Sequence, residues 1–215
     1  RTLHEGLRLL QEVSSAGAAG LGADALAARM GLTDGQVAAA LAQLADAGMV
    51  EARTDGAWAI SPGILAYARP VLSQNAQLAA LRPLMRDLAD RYEETVTWFR
   101  RSGWNQVVVD VLPCTRPVRY VLDAGVRFPL YVGAAGKAQL AQLPADEVDA
   151  YLANLSPKLF TRFAVDLEAL RQELVASRSR GYALSIGERV EGAAAVAVPV
   201  LTHEGEVAGV LGVMM

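Results

Sequence analysis

Apolar residues recur every three or four positions through the first fifty residues, a spacing that places them on one face of a helix. The pattern predicts three helices, over residues 3–13, 25–30 and 34–47. Asp24 is the expected cap of the second helix, and Thr33 or Asp34 of the third, because short polar side chains accept hydrogen bonds from free N–H groups at a helix start. The third helix is expected to bury three apolar side chains, Val37, Leu41 and Leu44.

Two short alternating stretches follow the third helix and predict a β-hairpin. Residues 49–52 and 57–60 alternate between apolar and polar or small side chains, and Thr54-Asp55-Gly56 between them suits a tight turn. Helix, helix, turn, helix and hairpin is the order of elements in a winged helix-turn-helix. We therefore predict such a domain over residues 1–63.

A linker helix is predicted over residues 64–83, after the break at Ser61-Pro62-Gly63. Pro83 is typical of a helix start, because proline lacks the N–H group that a helix interior needs. The helical run is therefore expected to break near Arg82, and a new helix is expected over residues 84–92.

Residues 84–215 alternate between strand-like and helix-like patterns and predict an α+β domain. Hairpins are expected from residues 95–101 with 104–112 and from 193–201 with 206–213, with a further strand over Val118–Leu122. Helices are expected near residues 146–155, capped by Asp146, and over 167–180. The expected arrangement is a mixed sheet with helices around it.

The stretch Phe128–Leu143 joins an extended apolar run to a helix through residues with almost no side chains. Gly133–Gly136 is expected to form a bend, and Lys137–Leu143 a helix that Pro144 ends. Small residues at a helix start let an anion approach unpaired backbone N–H groups, but they equally let another element pack closely. The stretch is not a phosphate loop, since Ala138 stands where a Ser or Thr is needed to bind magnesium.

Composition narrows the class of protein. A hydrophobic fraction of 53% favours a packed core over disorder. The single cysteine, Cys114, excludes an internal disulfide framework, and two distant histidines, His4 and His203, do not suggest a zinc site. Apolar runs are too short for a membrane span, and the acid-bearing N-terminal stretch is unlike a signal peptide. We expect a cytoplasmic protein with no membrane partner, metal or cofactor.

Catalytic groups do not come together in the sequence in any known pattern. Ser185 and His203 lie outside a nucleophile-elbow motif, and Cys114 has no histidine nearby to activate it. An enzyme would need a polar triad or a metal cluster lining a cavity. Three arginines lie near expected strand ends: Arg116, Arg119 and Arg127. We expect them to be exposed to solvent or ion-paired, and the alternative is that one of them binds an acidic ligand.

The segment LAARMGLTDGQVAAALAQLADAGMVEARTDGAWAIS, residues 26–61, resembles the DNA-binding domain of IclR-type bacterial transcription regulators. In that family a helix, a Gly-Leu turn, a recognition helix and a wing follow one another in this order. The resemblance implies binding to double-stranded operator DNA. Gln36 and Gln43, with Thr33 at the helix start, are the candidates for base contacts, and Arg29 and Arg53 for phosphate contacts.

The charge of the N-terminal third of the chain leaves a second interpretation open. Residues 1–69 contain five arginines, no lysine and seven acidic residues, although a duplex-binding module normally neutralises several phosphates. Ala38 and Ala39 stand where the family usually has a basic or polar pair. The alternative is a winged helix retained for dimerisation that has lost operator binding.

Two further segments resemble the effector-binding domain of IclR regulators, which has a GAF-like fold: VVVDVLPCTRPVRYVLDAGVRFPLYVGAAGKAQLAQLP and DLEALRQELVASRSRGYALSIGERVEGAAAVAVPVLTHEGEVAGVLGV. The resemblance implies that small metabolites, often organic acids, bind on the sheet under the Gly-Ala loop. The positions carried over as ligand contacts are Ala134, Ala135, Ser185, Ala195, Gly212 and Met214. Four aromatic residues are candidate pocket walls or plain core: Trp98, Trp104, Tyr120 and Tyr131.

Four positions that carry polar contacts in the family are changed in this chain. Ser185 stands where an acid is common, Ala195 where many members have cysteine, and Gly212 and Met214 where small hydroxyl residues often lie. The changes predict an emptier and drier pocket for a larger or more apolar ligand. A pocket filled by its own side chains, which would sense nothing, is the alternative.

The sequence as a whole predicts a ligand-responsive transcription regulator that works as a homodimer or tetramer. Its parts are the winged helix-turn-helix, the linker helix and a GAF-like mixed α/β effector domain, residues 84–215. A small organic acid or a more apolar metabolite would change the spacing of the two DNA readers through the linker. The rival is a sensor or dimerisation protein of the same architecture that does not bind DNA.

Overall fold

The computed structural model describes residues 2–72, 76–117, 119–162 and 165–215. The chain divides into two compact units, Arg1–Gln74 and Asn75–Met215. Among the described residues, no helix combines the length and apolar character that crossing a bilayer requires.

The N-terminal unit has the element order of a winged helix-turn-helix. Its elements are α1 (Thr2–Ser15), α2 (Ala23–Met30), α3 (Asp34–Asp46), β1 (Val50–Ala52), β2 (Trp58–Ile60) and α4 (Leu65–Leu72). β1 and β2 pair antiparallel, with Val50 opposite Ile60. As predicted, Val37 and Leu41 are buried and Leu44 packs against them. Leu3 and Leu7 of α1 are exposed, since α1 buries Leu9 and Val13 instead.

The helix caps of this unit only partly follow the prediction. Thr33 caps α3 in a capping box: its hydroxyl accepts from the Gln36 N–H, and the Gln36 amide oxygen accepts from the Thr33 N–H. The prediction for α2 is wrong, because Gly22 is the cap and Asp24 lies inside the first turn. There its carboxylate still meets the positive end of the helix dipole.

The predicted break near Arg82 is absent. α5 runs from Ala76 to Tyr92 with Pro83 inside it. Leu78 and Met85, on either side of the proline, are fully buried in one apolar cluster, so packing on both sides outweighs the lost hydrogen bond. The rest of the predicted linker includes residues 73–75, which lie outside the described residues.

The C-terminal unit is built on a six-stranded sheet. Its strands are β3 (Thr95–Ser102), β4 (Asn105–Leu112), β5 (Arg127–Pro129), β6 (Ala183–Ile186), β7 (Ala194–Leu201) and β8 (Val207–Met214). The order is β5-β4-β3-β8-β7-β6, and each neighbouring pair is antiparallel. The α+β class is confirmed, but the expectation of a mixed sheet is wrong, because hairpins and one long return connection bring every strand back antiparallel.

Two strand predictions at the sheet edges fail. Residues 119–122 are not a strand, and Val118 lies outside the described residues. Residues 125–129 occupy the free edge of β4 instead. The Val108 N–H bonds to the Val126 carbonyl, and β5 pairs with residues 105–107 of β4. β6, which the sequence pattern did not predict, forms the opposite edge beside β7.

Three helices follow β5: α6 (Gly133–Leu140), α7 (Ala145–Ala153) and α8 (Leu167–Arg180). Gly133–Gly136 is the first turn of α6, so the prediction of a separate bend is wrong. α6 is buried along almost its whole length against β6, β7 and β8, which explains its small residues. A Cβ on Gly136 would overlap the Leu130 carbonyl oxygen. The prediction that Asp146 caps α7 is wrong, because Pro144 occupies the N-cap position without a side-chain hydrogen bond and Asp146 lies in the first turn.

Candidate functional site

The start of α6 faces a small cavity above the sheet. Val132 is the N-terminal cap residue and Gly133 has a φ of 79°, a backbone conformation that glycine adopts readily. The N–H groups of Ala134 and Ala135 lie in the first helical turn, where a helix provides no carbonyl acceptor. Both residues are buried and line the cavity. The helix start therefore offers two hydrogen-bond donors and its positive dipole end to a bound anion.

The small cavity has a volume of about 30 Å³. Its lining residues include Gln106, Tyr120, Ala134, Ala135, Glu188 and Arg189. About 30 Å³ accommodates one or two water molecules and no metabolite. The expectation of an emptier pocket is therefore wrong for this conformation.

Gln106 lines this cavity, and one of its side-chain atoms is an unpaired acceptor. Its side-chain Nε2 donates to the Val132 carbonyl at 2.8 Å and to the Pro129 carbonyl at 3.3 Å, which fixes the orientation of the amide. The Oε1 atom is buried and has no hydrogen-bond partner among the described residues. A buried amide oxygen without a partner is costly, so a ligand that brings a donor would be stabilised here.

Arg189 lines the small cavity and packs on two of the aromatic rings around it. Its guanidinium carbon lies 3.8 Å from the ring centroid of Phe128 and 5.1 Å from that of Tyr120. Its Nε donates to the Tyr120 hydroxyl at 2.8 Å. Burial lowers the pKa of Arg189 from its usual value, and Tyr120 opposes part of that shift. No carboxylate pairs with Arg189 within the described part of the chain, so its charge is held on aromatic rings and is available to an anion.

Glu188 already occupies part of the helix start. Its Oε2 accepts from the Gly133 N–H at 2.9 Å, and its Oε1 lies 2.5 Å from Lys137 Nζ. The Lys137 side chain is only 8% exposed. A carboxylate of the protein itself thus lies next to the donors that an acidic ligand would use.

The carried-over ligand positions divide between two places. Ala134, Ala135, Ser185, Ala195 and Met214 surround the small cavity. Gly212 lies outside it, and its carbonyl accepts from the Thr97 hydroxyl at 3.2 Å. Tyr131 does not line it and belongs to the large cavity described next.

The large cavity lies between α6, α8 and β6 and has a volume of about 440 Å³. Six of its lining residues are Tyr131, Lys137, Phe160, Leu170, Glu173 and Leu184. Ser185 and Glu188 line both cavities. Sequence reasoning did not predict this cavity, because one of its walls is β6, a strand that was missed.

The three arginines considered as clamps for an acidic ligand are engaged elsewhere. Arg116 pairs with Glu94 at 2.6 Å and Arg119 donates to the Arg116 carbonyl. Arg127 donates to the Ser102 hydroxyl.

Sequence reasoning missed Gln106, Glu188 and Arg189. The sequence carried no signal for them, because they approach the Gly-Ala segment only in the folded chain and their spacing along the sequence does not reveal this. The described residues bring no three His, Cys, Asp or Glu side chains together to hold a metal ion.

The candidate DNA contacts of the N-terminal unit are bonded to their own neighbours. Arg29 lies 3.4 Å from the Glu12 carboxylate. Arg53 lies 3.1 Å from the Asp55 carboxylate and donates to the Ala18 carbonyl, and it lowers the pKa of Asp55. The oxygens of Thr33 and Gln36 serve the capping box, whereas Gln43 is exposed on α3. The arginines are also exposed, so these pairs are weak enough for a phosphate to replace the carboxylate.

Residues 70–215 match the family model of the C-terminal domain of bacterial transcriptional regulator IclR. The chain is 28% identical over 169 residues to the HTH-type transcriptional regulator KipR of Bacillus subtilis, covering 78% of this chain and 68% of KipR. It is 32% identical over 191 residues to the HTH-type transcriptional regulator Rv1719 of Mycobacterium tuberculosis, covering 88% of this chain and 71% of that protein. These relatives are transcriptional regulators and not enzymes.

Solved structures share the fold. The IclR transcriptional regulator from Alicyclobacillus acidocaldarius superposes with a TM-score of 0.86 at 22% identity, covering 100% of this chain and 87% of that one. An IclR homologue from Microbacterium hydrocarbonoxydans, complexed with 4-hydroxybenzoate, gives 0.80 at 18% identity, with 100% and 89% covered. The family model extends over more than half of the chain and spans the residues around both cavities, so the chain belongs to the IclR family of bacterial transcription regulators.

Proposed function

We propose that this regulator binds operator DNA through its N-terminal unit and responds to a small carboxylic acid that also carries a hydroxyl group. The acid binds in the small cavity. The observation that supports this most directly is that the residues lining that cavity bring three kinds of group together: the first turn of α6 with its N–H groups, the guanidinium of Arg189, and Gln106, whose side-chain oxygen has no hydrogen-bond partner among the described residues.

Each group selects a part of the ligand. The helix start and Arg189 are both cationic in character and favour a carboxylate. The Gln106 oxygen accepts only, so it favours a hydroxyl or other donor on the same molecule. The homologue that shares the fold was solved with 4-hydroxybenzoate, a molecule with both groups, which supports this class of ligand.

Binding requires Arg189 to leave the rings of Phe128 and Tyr120, because the present cavity of about 30 Å³ is too small for such a ligand. In this movement the Arg189 guanidinium loses its contacts with the two rings and gains an ion pair with the ligand carboxylate. The acid therefore binds a conformation that differs from the unliganded one, as a regulator requires.

The effector is tested by isothermal titration of the full chain with 4-hydroxybenzoate and with the neutral 4-hydroxybenzamide. We expect the acid to bind at least tenfold more tightly than the amide. Arg189→Gln should weaken binding of the acid by at least tenfold, and Arg127→Gln, a matched change at an exposed arginine, should leave it unchanged. Equal binding of acid and amide, or unaltered binding by Arg189→Gln, would exclude an anion site at Arg189.

Operator binding is proposed for the N-terminal unit on the basis of its winged helix-turn-helix and of the family. The rival, a regulator-like protein that has lost operator binding, is supported by the acidic balance of residues 1–69 and by the Arg29–Glu12 and Arg53–Asp55 pairs. A gel-shift assay with DNA from upstream of its own gene, at low and at moderate salt, decides between them. A shift that weakens steeply with salt supports operator binding, and no shift at low salt supports the rival.

We further propose that the protein works as a homodimer joined through the N-terminal unit. Its α1 and α4 expose apolar side chains, among them Leu3, Leu7, Leu65 and Tyr67. Apolar side chains exposed on two helices of one unit would be stabilised if a second copy of the chain covered them. Light scattering after size-exclusion chromatography should give twice the chain mass, and Leu3→Glu with Leu7→Glu should lower it to one chain.

A further inference from the structure

We propose that the large cavity is a second ligand site, which takes a neutral, mostly apolar molecule carrying one carbonyl oxygen. The proposal does not depend on the acid site at the start of α6. It rests on the size and walls of the cavity, on the Lys137 ammonium that lines it and on the acidic groups around that ammonium.

The cavity has the size and the wall chemistry of a small-molecule site. Its volume of about 440 Å³ lies in the range of about 300–1,000 Å³ that such sites occupy. Phe160, Leu170 and Leu184 supply apolar surface. Leu184 and Ile186 alternate with the buried Ser185 along β6, and these two residues are 41% and 78% exposed. Neighbouring apolar side chains left open to water are stabilised when a ligand covers them.

Lys137 supplies unused hydrogen-bond donors. An ammonium group has three N–H donors. Among the described residues, Glu188 is the acceptor for this group, through its Oε1 atom. With the Lys137 side chain 8% exposed, water reaches it poorly, so an oxygen of a bound molecule would satisfy a donor that the protein leaves free.

The groups around Lys137 favour a neutral oxygen over a carboxylate. Glu188 already neutralises the ammonium. Glu173 is also near: burial raises its pKa, but the hydrogen bond from Arg180 and the charge of Lys137 lower it, and the net shift is downward. Asp166 and Lys158 line the cavity as well, so its charged lining groups are two lysines and three acids. A ligand carboxylate would meet like charge here, whereas a ketone oxygen would accept from Lys137 without that repulsion.

The test uses two probes of matched shape, the ketone 4-phenylbutan-2-one and the acid 3-phenylpropanoate, titrated into the full chain. The ketone should bind at least tenfold more tightly than the acid. Ala169→Trp, on the exposed side of α8 that lines the cavity, should weaken ketone binding by at least tenfold. Ala176→Trp is the matched control, because Ala176 is exposed on the same helix and does not line the cavity.

Each result either supports or overturns the site. Tighter binding of the acid, no binding of the ketone at millimolar concentration, or equal effects of the two tryptophan variants would overturn it. If Ala169→Trp unfolds while Ala176→Trp does not, Leu184→Gln replaces it, since a half-exposed side chain tolerates a polar change. Leu184→Gln should also weaken ketone binding, and unchanged binding would overturn the proposal.

Discussion

Glu188 Oε1 lies 2.5 Å from Lys137 Nζ, and the other carboxylate oxygen of Glu188 accepts from the Gly133 N–H at 2.9 Å. Glu188, in the segment after β6, therefore bonds both Gly133, the first residue of α6, and Lys137, one turn further along that helix. Glu188 also lines both cavities, so it separates the proposed acid site from the proposed ketone site.

Breaking this pair should destabilise the C-terminal unit. Glu188→Gln keeps an oxygen for the Gly133 N–H but leaves the buried Lys137 ammonium without a charged partner. We expect the free energy of unfolding, measured by urea denaturation, to fall by about 1–3 kcal/mol. Glu206→Gln, in the exposed turn between β7 and β8, is the control and should change it little.

The double variant tests whether the Lys137 and Glu188 side chains stabilise one another. Lys137→Met with Glu188→Gln leaves no unpaired charge, so its loss should be smaller than the sum of the two single losses by about 1 kcal/mol. Additive losses would mean that the two side chains do not interact.

The capping box at the start of α3 makes a prediction for the N-terminal unit. Thr33→Ala removes the hydroxyl that accepts from the Gln36 N–H, at 3.3 Å, and should cost the N-terminal unit about 1 kcal/mol. Thr33→Ser retains the hydroxyl and should unfold like the unchanged protein. Thermal unfolding followed by circular dichroism measures both, and equal melting of the alanine and serine variants would contradict a role for the cap.

Tyr151 makes a prediction about alkaline pH. Its hydroxyl accepts from the Tyr131 N–H at 3.2 Å, and its ring stacks on Trp104 with centroids 4.8 Å apart. Burial raises its pKa to about 12. Between pH 10 and 12 the unfolded chain loses this proton while the folded chain keeps it, so stability falls as pH rises. The fall attributable to Tyr151 should be about 1 kcal/mol at pH 11.

Tyr151→Phe separates the two contributions of that hydroxyl. At pH 8 the variant should lose about 1–2 kcal/mol, because the Tyr131 N–H is left without its acceptor. Between pH 10 and 11 it should lose less further stability than the unchanged protein. Tyr92→Phe, at an exposed tyrosine, is the control for both measurements. A parallel pH dependence of the Tyr151→Phe variant and the unchanged protein would contradict the raised pKa.

Local sequence chemistry was sufficient where the deciding contacts are close in the chain. Thr33 and Gln36 are three residues apart and form the cap by themselves. The hairpins of β3 with β4 and β7 with β8 are set by short turns and alternating side chains. The order of these elements and the quoted motifs led to the winged helix-turn-helix, the α+β class and the family.

Tertiary contacts decided the rest. Pro83 breaks helices in isolation, yet α5 continues because Leu78 and Met85 are both buried in one cluster. β6 became a strand because β7 offers it an edge, and residues 119–122 did not because residues 125–129 already occupy the edge of β4. Such outcomes depend on competition between segments far apart in sequence.

The same distinction holds for the candidate site. The sequence by itself determined that residues with almost no side chains, Gly133–Gly136, lead into a helix and leave room for an anion or for a close neighbour, because glycine and alanine leave backbone N–H groups accessible. Only the folded chain decided that the helix packs on the sheet, that Gly133–Gly136 form its first turn, and that Gln106, Glu188 and Arg189 lie around its start. Gln106 comes from β4, whereas Glu188 and Arg189 come from the segment after β6. Their spacing along the chain does not predict that the sheet brings them together.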